Sequence, residues 1–297
     1  MRWIGLVAVG AVAGSVIAFG TPDRWPHAMA ARHASDAPQT EEFRWRGSVA
    51  PGERLWIRNL NGEIQVERSG QSEIEVVAEK RGKRNDPSEV EIVEVTGAGG
   101  VTICALWEAD HRECEPGGGY RHSGKMRSDV TVRFVVRLPD GVPLDAATTN
   151  GKILADGIAS PVVAHTTNGS IAVGTIAGDI EARTTNGSVE AQTGLGAVVA
   201  RTTNGDIRAR IDSIGAAVPL EFVTTNGSIT VELPASLDAE LDASLANGKI
   251  DTDFPLTVQG RFSTRAVRAT VGDGGPPVKI RTTNGSIRLR TIGSTGA

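Results

Sequence analysis

"HTTNGSIAVGTIAGDIEARTTNGSVEA", residues 165–191, spells one phrase twice. Thr-Thr-Asn-Gly opens at Thr166 and again at Thr184, and its Asn-Gly core runs through the second half of the chain. Asn150, Asn168, Asn186 and Asn204 are spaced 18 residues apart, and Asn226, Asn247 and Asn284 follow at intervals of 22, 21 and 37. One earlier Asn-Gly stands at Asn61. A fixed short period is the mark of stacked architecture. The longest interval reads as two units with one signature lost.

Inside a unit the pattern is that of strands. Ile171 and Val173 alternate with small or polar residues, as do Ile180, Ala182 and Thr184, then Val189 and Ala191, then Val198, Ala200 and Thr202. Such alternation argues for half-buried strands. Gly174, Gly178, Gly194 and Gly196 interrupt the runs where a corner is needed. No stretch after Phe43 carries the spacing of an amphipathic helix.

Asn-Gly between alternating runs is ordinarily a hairpin cue. Here it returns at the same phase in every unit, while the half-period is variable ("DGIASP", "GTIAG", "TGLGA", "DSIGAAVP"). That asymmetry favours a solenoid over a meander. The fold class expected is therefore all-β: a single-stranded β-helix of two or three short strands per turn, each paired in parallel with its equivalent one coil away. A unit of this length has a perimeter of roughly 60 Å at most, with coils stacked about 4.8 Å apart.

In that geometry the pairs Asn150–Gly151, Asn168–Gly169, Asn186–Gly187, Asn204–Gly205, Asn226–Gly227, Asn247–Gly248 and Asn284–Gly285 share one corner as a structural turn ladder. Asn is expected there in the left-handed region, with Gly taking the next strained position. Stacked amides would hydrogen-bond up the column, as in cross-β ladders. Of the two Thr, one faces in and one out. The tetrapeptide is a building device first.

Composition fits a thin core. Of 297 residues, 39% are hydrophobic but only 4% aromatic, and 36 are Gly. Large aromatics normally fill a thick core; Val, Ile, Leu and Ala must do so here. A net charge of −4 supplies no field for nucleic acid or anionic lipid, so no nucleic-acid partner is expected.

The N-terminus has one Arg before an apolar run from Trp3 to Phe19, with Ala28-Met29-Ala30 beyond it. That is the plan of a cleaved export signal. The run is also at the lower limit for a membrane span, so an uncleaved anchor at residues 3–19 is the alternative. No Cys follows the run directly, which argues against a lipoprotein. Either way the body is exported, to the periplasm or cell surface. Cys104 and Cys114 suit that compartment as a disulfide closing a loop. His111 lies between them, but zinc would need more ligands.

Three regions follow. Residues 1–35 are signal or anchor plus linker; 36–145 are N-terminal coils with an irregular, disulfide-containing insertion at about 81–128; 146–297 are the regular solenoid repeats. "GxVxPGxxLxIxNxNGxIxV" (Gly47 to Val66), "RLPDGVPLDAATTNG" (Arg137 to Gly151) and the run of "TTNGSI" units resemble the bacterial adhesin-type domain of unknown function, over about residues 43–290. The resemblance implies an exported, often N-terminally anchored, right-handed β-helix. It implies no catalytic residue.

Chemistry is hard to place. Hydrolysis of a glycan by acid–base catalysis needs two carboxylates at a set separation. Asp156, Asp179, Glu181, Glu190 and Asp206 are scattered without repeated pairing, and Asp251 and Asp253 read as a solvated edge pair in preference to a cation site. "EPGGGYRHSGK" lacks the strand-to-helix context of a phosphate loop. No cofactor or metal is expected. His165, Arg183 and Arg201 precede successive Asn residues by three, and would form a column able to meet an anionic polymer. The bland reading of that column is a set of edge charges paired with neighbours such as Glu181.

The expected function is a non-catalytic, adhesin-like envelope or surface solenoid presenting a rigid face, its partner an envelope polysaccharide or another surface protein. The rivals are a polysaccharide-active enzyme with its site at 104–128, and an envelope-stress accessory protein acting on a signalling partner.

Overall fold

Alternating burial runs through almost every strand: in Ile171–Ile176 the residues Ile171, Val173 and Ile176 are buried and Ala172 and Gly174 are not. A computed structural model describes residues 39–107, 114–118, 128–215, 218–258 and 265–293, all within the unit Ala37–Ala297. The N-terminal segment 1–35, including the expected signal or anchor at 3–19, lies outside the described residues, as do parts of the 81–128 insertion.

The chain begins with β1 (Gln39–Gly47), β2 (Arg54–Arg58), β3 (Ile64–Arg68), β4 (Ile74–Gly82), β5 (Val90–Gly97), β6 (Gly100–Trp107) and β7 (Thr131–Leu138). The regular part is β8 (Leu144–Asn150), β9 (Ile153–Asp156), β10 (Val162–Asn168), β11 (Ile171–Ile176), β12 (Ile180–Arg183), β13 (Val189–Leu195), β14 (Val198–Arg201), β15 (Ile207–Ser213), β16 (Leu220–Asn226) and β17 (Ile229–Leu233). It closes with β18 (Ala239–Asn247), β19 (Ile250–Thr252), β20 (Thr257–Val258), β21 (Ala266–Val271), β22 (Pro277–Asn284) and β23 (Ile287–Thr291).

Among the described residues these strands form an 11-stranded sheet, here sheet I, and a 12-stranded sheet, sheet II. Each coil contributes two strands, the first to sheet II and the second to sheet I, and in eight coils Asn-Gly is the corner between them. Through the middle the pairing is parallel and in register: Val162 lies beside Leu144 and Ile180, and Ile171 beside Ile153 and Val189. The fold is a β-solenoid of two strands per coil.

The core is thin because its inward positions repeat. On sheet II, Leu144, Val162, Ile180, Val198 and Leu220 form a large-residue column, and Ala146, Ala164, Ala182 and Ala200 a small one. Ile153, Ile171, Val189, Ile207 and Ile229 oppose them from sheet I. Burying each such Ile, Val or Leu contributes roughly 1.5–3 kcal/mol. Phe134 and Phe222 are fully buried exceptions.

Two expectations need correction. Coils do not stack everywhere in chain order. β2–β3 lies between the coil of β6 and β7 and that of β8 and β9, and the last pair, β22–β23, is inserted between β16–β17 and β18–β19. The interval from Asn247 to Asn284 is thus not two ordinary units. It holds an excursion in which β21 pairs antiparallel with β18 and β20. Antiparallel pairs occupy the other end too, where β4 joins β1 and β7, and β5 joins β6. Hairpins there cover coil edges that would otherwise expose a row of unpaired backbone groups.

The second correction concerns the corner. Among the described residues the only non-glycine with positive φ is Thr175, so the Asn residues are not left-handed. Asn150, Asn168, Asn226, Asn247 and Asn284 are the last residues of extended strands. Glycine follows them because coils touch there: a Cβ on Gly169 would lie 1.9 Å from Gly151 O, and one on Gly227 1.9 Å from Gly205 O.

Candidate functional site

The corner is a continuous hydrogen-bonded edge. Asn168 Nδ2 donates to Asn150 Oδ1, Asn186 to Asn168 and Asn204 to Asn186, each at 2.8 Å. Asn226 donates to Asn204 at 2.9 Å, Asn284 to Asn226 at 2.8 Å, and Asn247 to Asn284 at 2.9 Å. Asn61 stands apart, donating to Val130 O. A second column lies behind the first: the inward Thr of each motif donates its hydroxyl to a glycine carbonyl one coil away. Thr166 reaches Gly151 O, Thr184 Gly169 O, Thr202 Gly187 O, Thr224 Gly205 O and Thr282 Gly227 O, all at 2.9–3.0 Å. Sequence reasoning missed that bond; the signal available was the constant Thr two places before every Asn of an Asn-Gly pair except Asn61 and Asn247, where Asn59 and Leu245 stand. Buried hydroxyls need such partners, and here they bind coil to coil.

Sheet II carries His165, Arg183 and Arg201 side by side, since His165 pairs with Arg183 and Arg183 with Arg201 in the ladder. Each faces a carboxylate. Glu181 Oε1 lies 3.3 Å from His165 Nε2 and 3.0 Å from Arg183, and Glu221 accepts from Arg201 at 2.7 Å. The column is largely neutralised by its own strand neighbours.

The outer face of sheet I offers a different surface. Ala172 and Gly174 leave a shallow concavity of about 330 Å³, bounded by Glu190, Gln192, Arg208, Arg210, Thr230 and Glu232. Small residues on β11 make the floor, and the long side chains of β13, β15 and β17 make the wall. Arg208 pairs with Glu190 at 3.6 Å, and Arg210 with Asp212 at 3.0 Å and Glu232 at 3.6 Å. The wall therefore presents guanidinium, carboxylate and amide groups whose charges are paired.

Four of the carboxylates weighed for catalysis, Asp179, Asp206, Asp251 and Asp253, are engaged by other groups. Asp179 accepts from Ala197 N–H and Asp206 from Ser228 N–H, both at 2.8 Å. Asp251 and Asp253 both bind Arg290, at 2.6 and 3.0 Å, and this raises the Arg290 pKa, chiefly through its hydrogen bond to Asp251. The cation between those two acids is an arginine.

The Toastrack DUF4097 family model matches residues 126–290. The chain belongs to that family. Three solved structures are similar over most of this Toastrack chain: a candidate cell adhesion protein of Clostridium sporogenes (12% identity, 85% of this chain and 100% of that one, TM-score 0.39); a candidate adhesin of Bacteroides fragilis (8%, 85% and 97%, 0.37); and one of Parabacteroides distasonis (14%, 84% and 97%, 0.34). At that similarity none of the three bears on fold or function. No curated protein matches the chain.

Within the Toastrack chain's insertion, β5 and β6 are strands of sheet II, and residues 114–118 are bonded to that sheet. Cys104 on β6 is joined to Cys114 by a disulfide. Beyond it, Gly117 N–H donates to Thr102 Oγ1 at 2.9 Å, and Gly118 O accepts from Arg58 Nε at 2.6 Å. Arg58 is 4% exposed and also binds Asp145 Oδ1 at 2.8 Å. Nothing in the sequence marks Arg58 as buried, because an outward strand position is normally solvated.

Other shifted acids hold the N-terminal end together. Glu75 is pulled below its ordinary pKa by the hydrogen bond from Arg46, and Asp129 by backbone N–H groups, foremost that of Asn85. Asp140 is lowered by Arg68.

Proposed function

We propose that this Toastrack chain is a non-catalytic, exported envelope or surface protein of adhesin type, and that sheet I is the face with which it holds a polysaccharide. The concavity over Ala172 and Gly174 carries this reading. Its guanidinium, carboxylate and amide groups suit the hydroxyls of a sugar. Their mutual pairing favours a neutral glycan over a polyanion. Interlocked coils beneath keep the backbone of this face fixed, so no main-chain ordering cost is added on binding. The apolar run Trp3–Phe19 supports export.

The in-register column His165, Arg183 and Arg201 supports a second reading, an anionic polymer held on sheet II. Retention on immobilised envelope polysaccharides separates the two. Ala172→Tyr, which fills the concavity, is expected to weaken retention about tenfold or more, a loss of about 1.4 kcal/mol. Arg183→Ser with Arg201→Ser is expected to leave it unchanged. Loss only in the double variant moves the site to sheet II. Undiminished retention with both, or shortening of the eluted glycan, refutes the proposal.

A further inference from the structure

Asn-Gly is open to one spontaneous reaction. The glycine backbone nitrogen attacks the asparagine Cγ; the new C–N bond forms as the Cγ–Nδ2 bond breaks, and ammonia leaves. Water then opens the cyclic imide, giving aspartate or isoaspartate according to which carbonyl it attacks. Glycine favours the reaction because no Cβ hinders its nitrogen.

The described chain has eight such pairs. In seven the attacking nitrogen is engaged. Gly62 N–H donates to Asn150 O at 2.7 Å and Gly151 to Asn168 O at 3.0 Å; Gly169, Gly187, Gly205, Gly227 and Gly285 each donate at 2.9 Å to the Asn carbonyl of the adjoining coil. The Oδ1 atoms of Asn150, Asn168, Asn186, Asn204, Asn226 and Asn284 each accept from the next rung.

Asn247–Gly248 differs in both respects. Because β22–β23 is threaded inside β18–β19, Asn247 and not Asn284 is the last rung. Among the described residues Gly248 N–H has no acceptor, and no donor reaches Asn247 Oδ1. Exposure of the amide does not explain the contrast: Asn247 is exposed, but so are Asn168, Asn186 and Asn204.

We infer that Asn247–Gly248 is a modification site, where deamidation proceeds in the folded protein while the other seven pairs are held back by the engaged glycine nitrogen, six of them by the amide ladder as well. The consequence is local. A carboxylate at position 247 offers only acceptors to Asn284 Oδ1, where the amide donated. Isoaspartate also adds a main-chain carbon between β18 and β19. The three residues of β19, paired only with β23 along sheet I, would lose register and detach.

The test uses the full chain, held folded in mildly alkaline buffer and sampled by peptide mapping with isoaspartate quantified. The Asn247 peptide is expected to convert about tenfold or more faster than any other, because its glycine nitrogen alone lacks a hydrogen bond to the adjoining coil. In urea all eight are expected to convert at similar rates. Asn247→Gln should abolish the fast phase and leave the rest unchanged. Equal native rates, a faster rung elsewhere in the ladder, or an Asn247 preference that persists in urea would overturn the inference.

Discussion

Replacing Gly187 by Ala tests the stacked corner most directly. The added Cβ would lie 2.1 Å from Gly169 O, 2.5 Å from its carbonyl carbon and 2.9 Å from Ser170 N. Comfortable contacts between heavy atoms lie near 3.5–4.0 Å, and all three neighbours are backbone, so no side chain can rotate away. The coil must shift by about 1 Å or more. That shift strains the bonds made at this corner: Gly187 N–H to Asn204 O at 2.9 Å, Asn186 N–H to Thr167 O at 2.8 Å, and Thr202 Oγ1 to Gly187 O at 2.9 Å. With partial loss of bonds worth about 1 kcal/mol each and an overpacking cost of about 1–3 kcal/mol, Gly187→Ala is expected to destabilise by about 3–5 kcal/mol. Gly52 supplies the control, with φ +87 and nothing within 4 Å of an added Cβ. Gly52→Ala should cost only the local backbone strain, about 1 kcal/mol. Urea unfolding followed by circular dichroism measures both, from the midpoint shift at unchanged slope. Gly187 also has φ +157, so equal losses in the two variants would refute the claim that contact between coils adds to backbone strain in requiring glycine at the corner.

Asn186→Ala removes two ladder bonds, one donated to Asn168 and one accepted from Asn204. Because water replaces both on an exposed edge, a loss of about 1 kcal/mol is expected, and about half that for Asn247→Ala, which removes one bond; equal melting-temperature shifts would contradict a contribution from each rung bond. Acid should open the N-terminal end before the repeats. Glu75 and Asp129 have folded pKa values below their ordinary ones, so their contribution is complete above about pH 4 and is lost as pH falls through the lowered values. Hydrogen exchange at descending pH is expected to release the Arg84 and Asn85 amides, which donate to Asp129, ahead of Gly169 and Gly187; simultaneous release would contradict that order.

Of the candidate surfaces, the register of His165, Arg183 and Arg201 was legible, since three equal steps of the period place them on one line. Their neutralisation was less so. Glu181 lies two residues before Arg183 and reaches it along one strand, but Glu221 reaches Arg201 from the next coil, where the interval has stretched to 22 residues. The concavity on sheet I was not legible at all. It exists because Ala172 and Gly174 fall between longer side chains on adjacent coils, and the depth of a surface depends on neighbours remote in sequence.

The sequence by itself determined that the chain winds: a period near 18 residues, apolar alternation on either side of each corner, and small residues where coils approach. Those are local instructions, repeated, and each acts within one unit. Only the tertiary structure decided the order of the coils. Units with the same corner and the same inward columns can stack on one another almost interchangeably, so sequence proximity does not choose the neighbour. Long-range pairing does, placing β22–β23 inside β18–β19 and leaving Asn247 as the outermost rung.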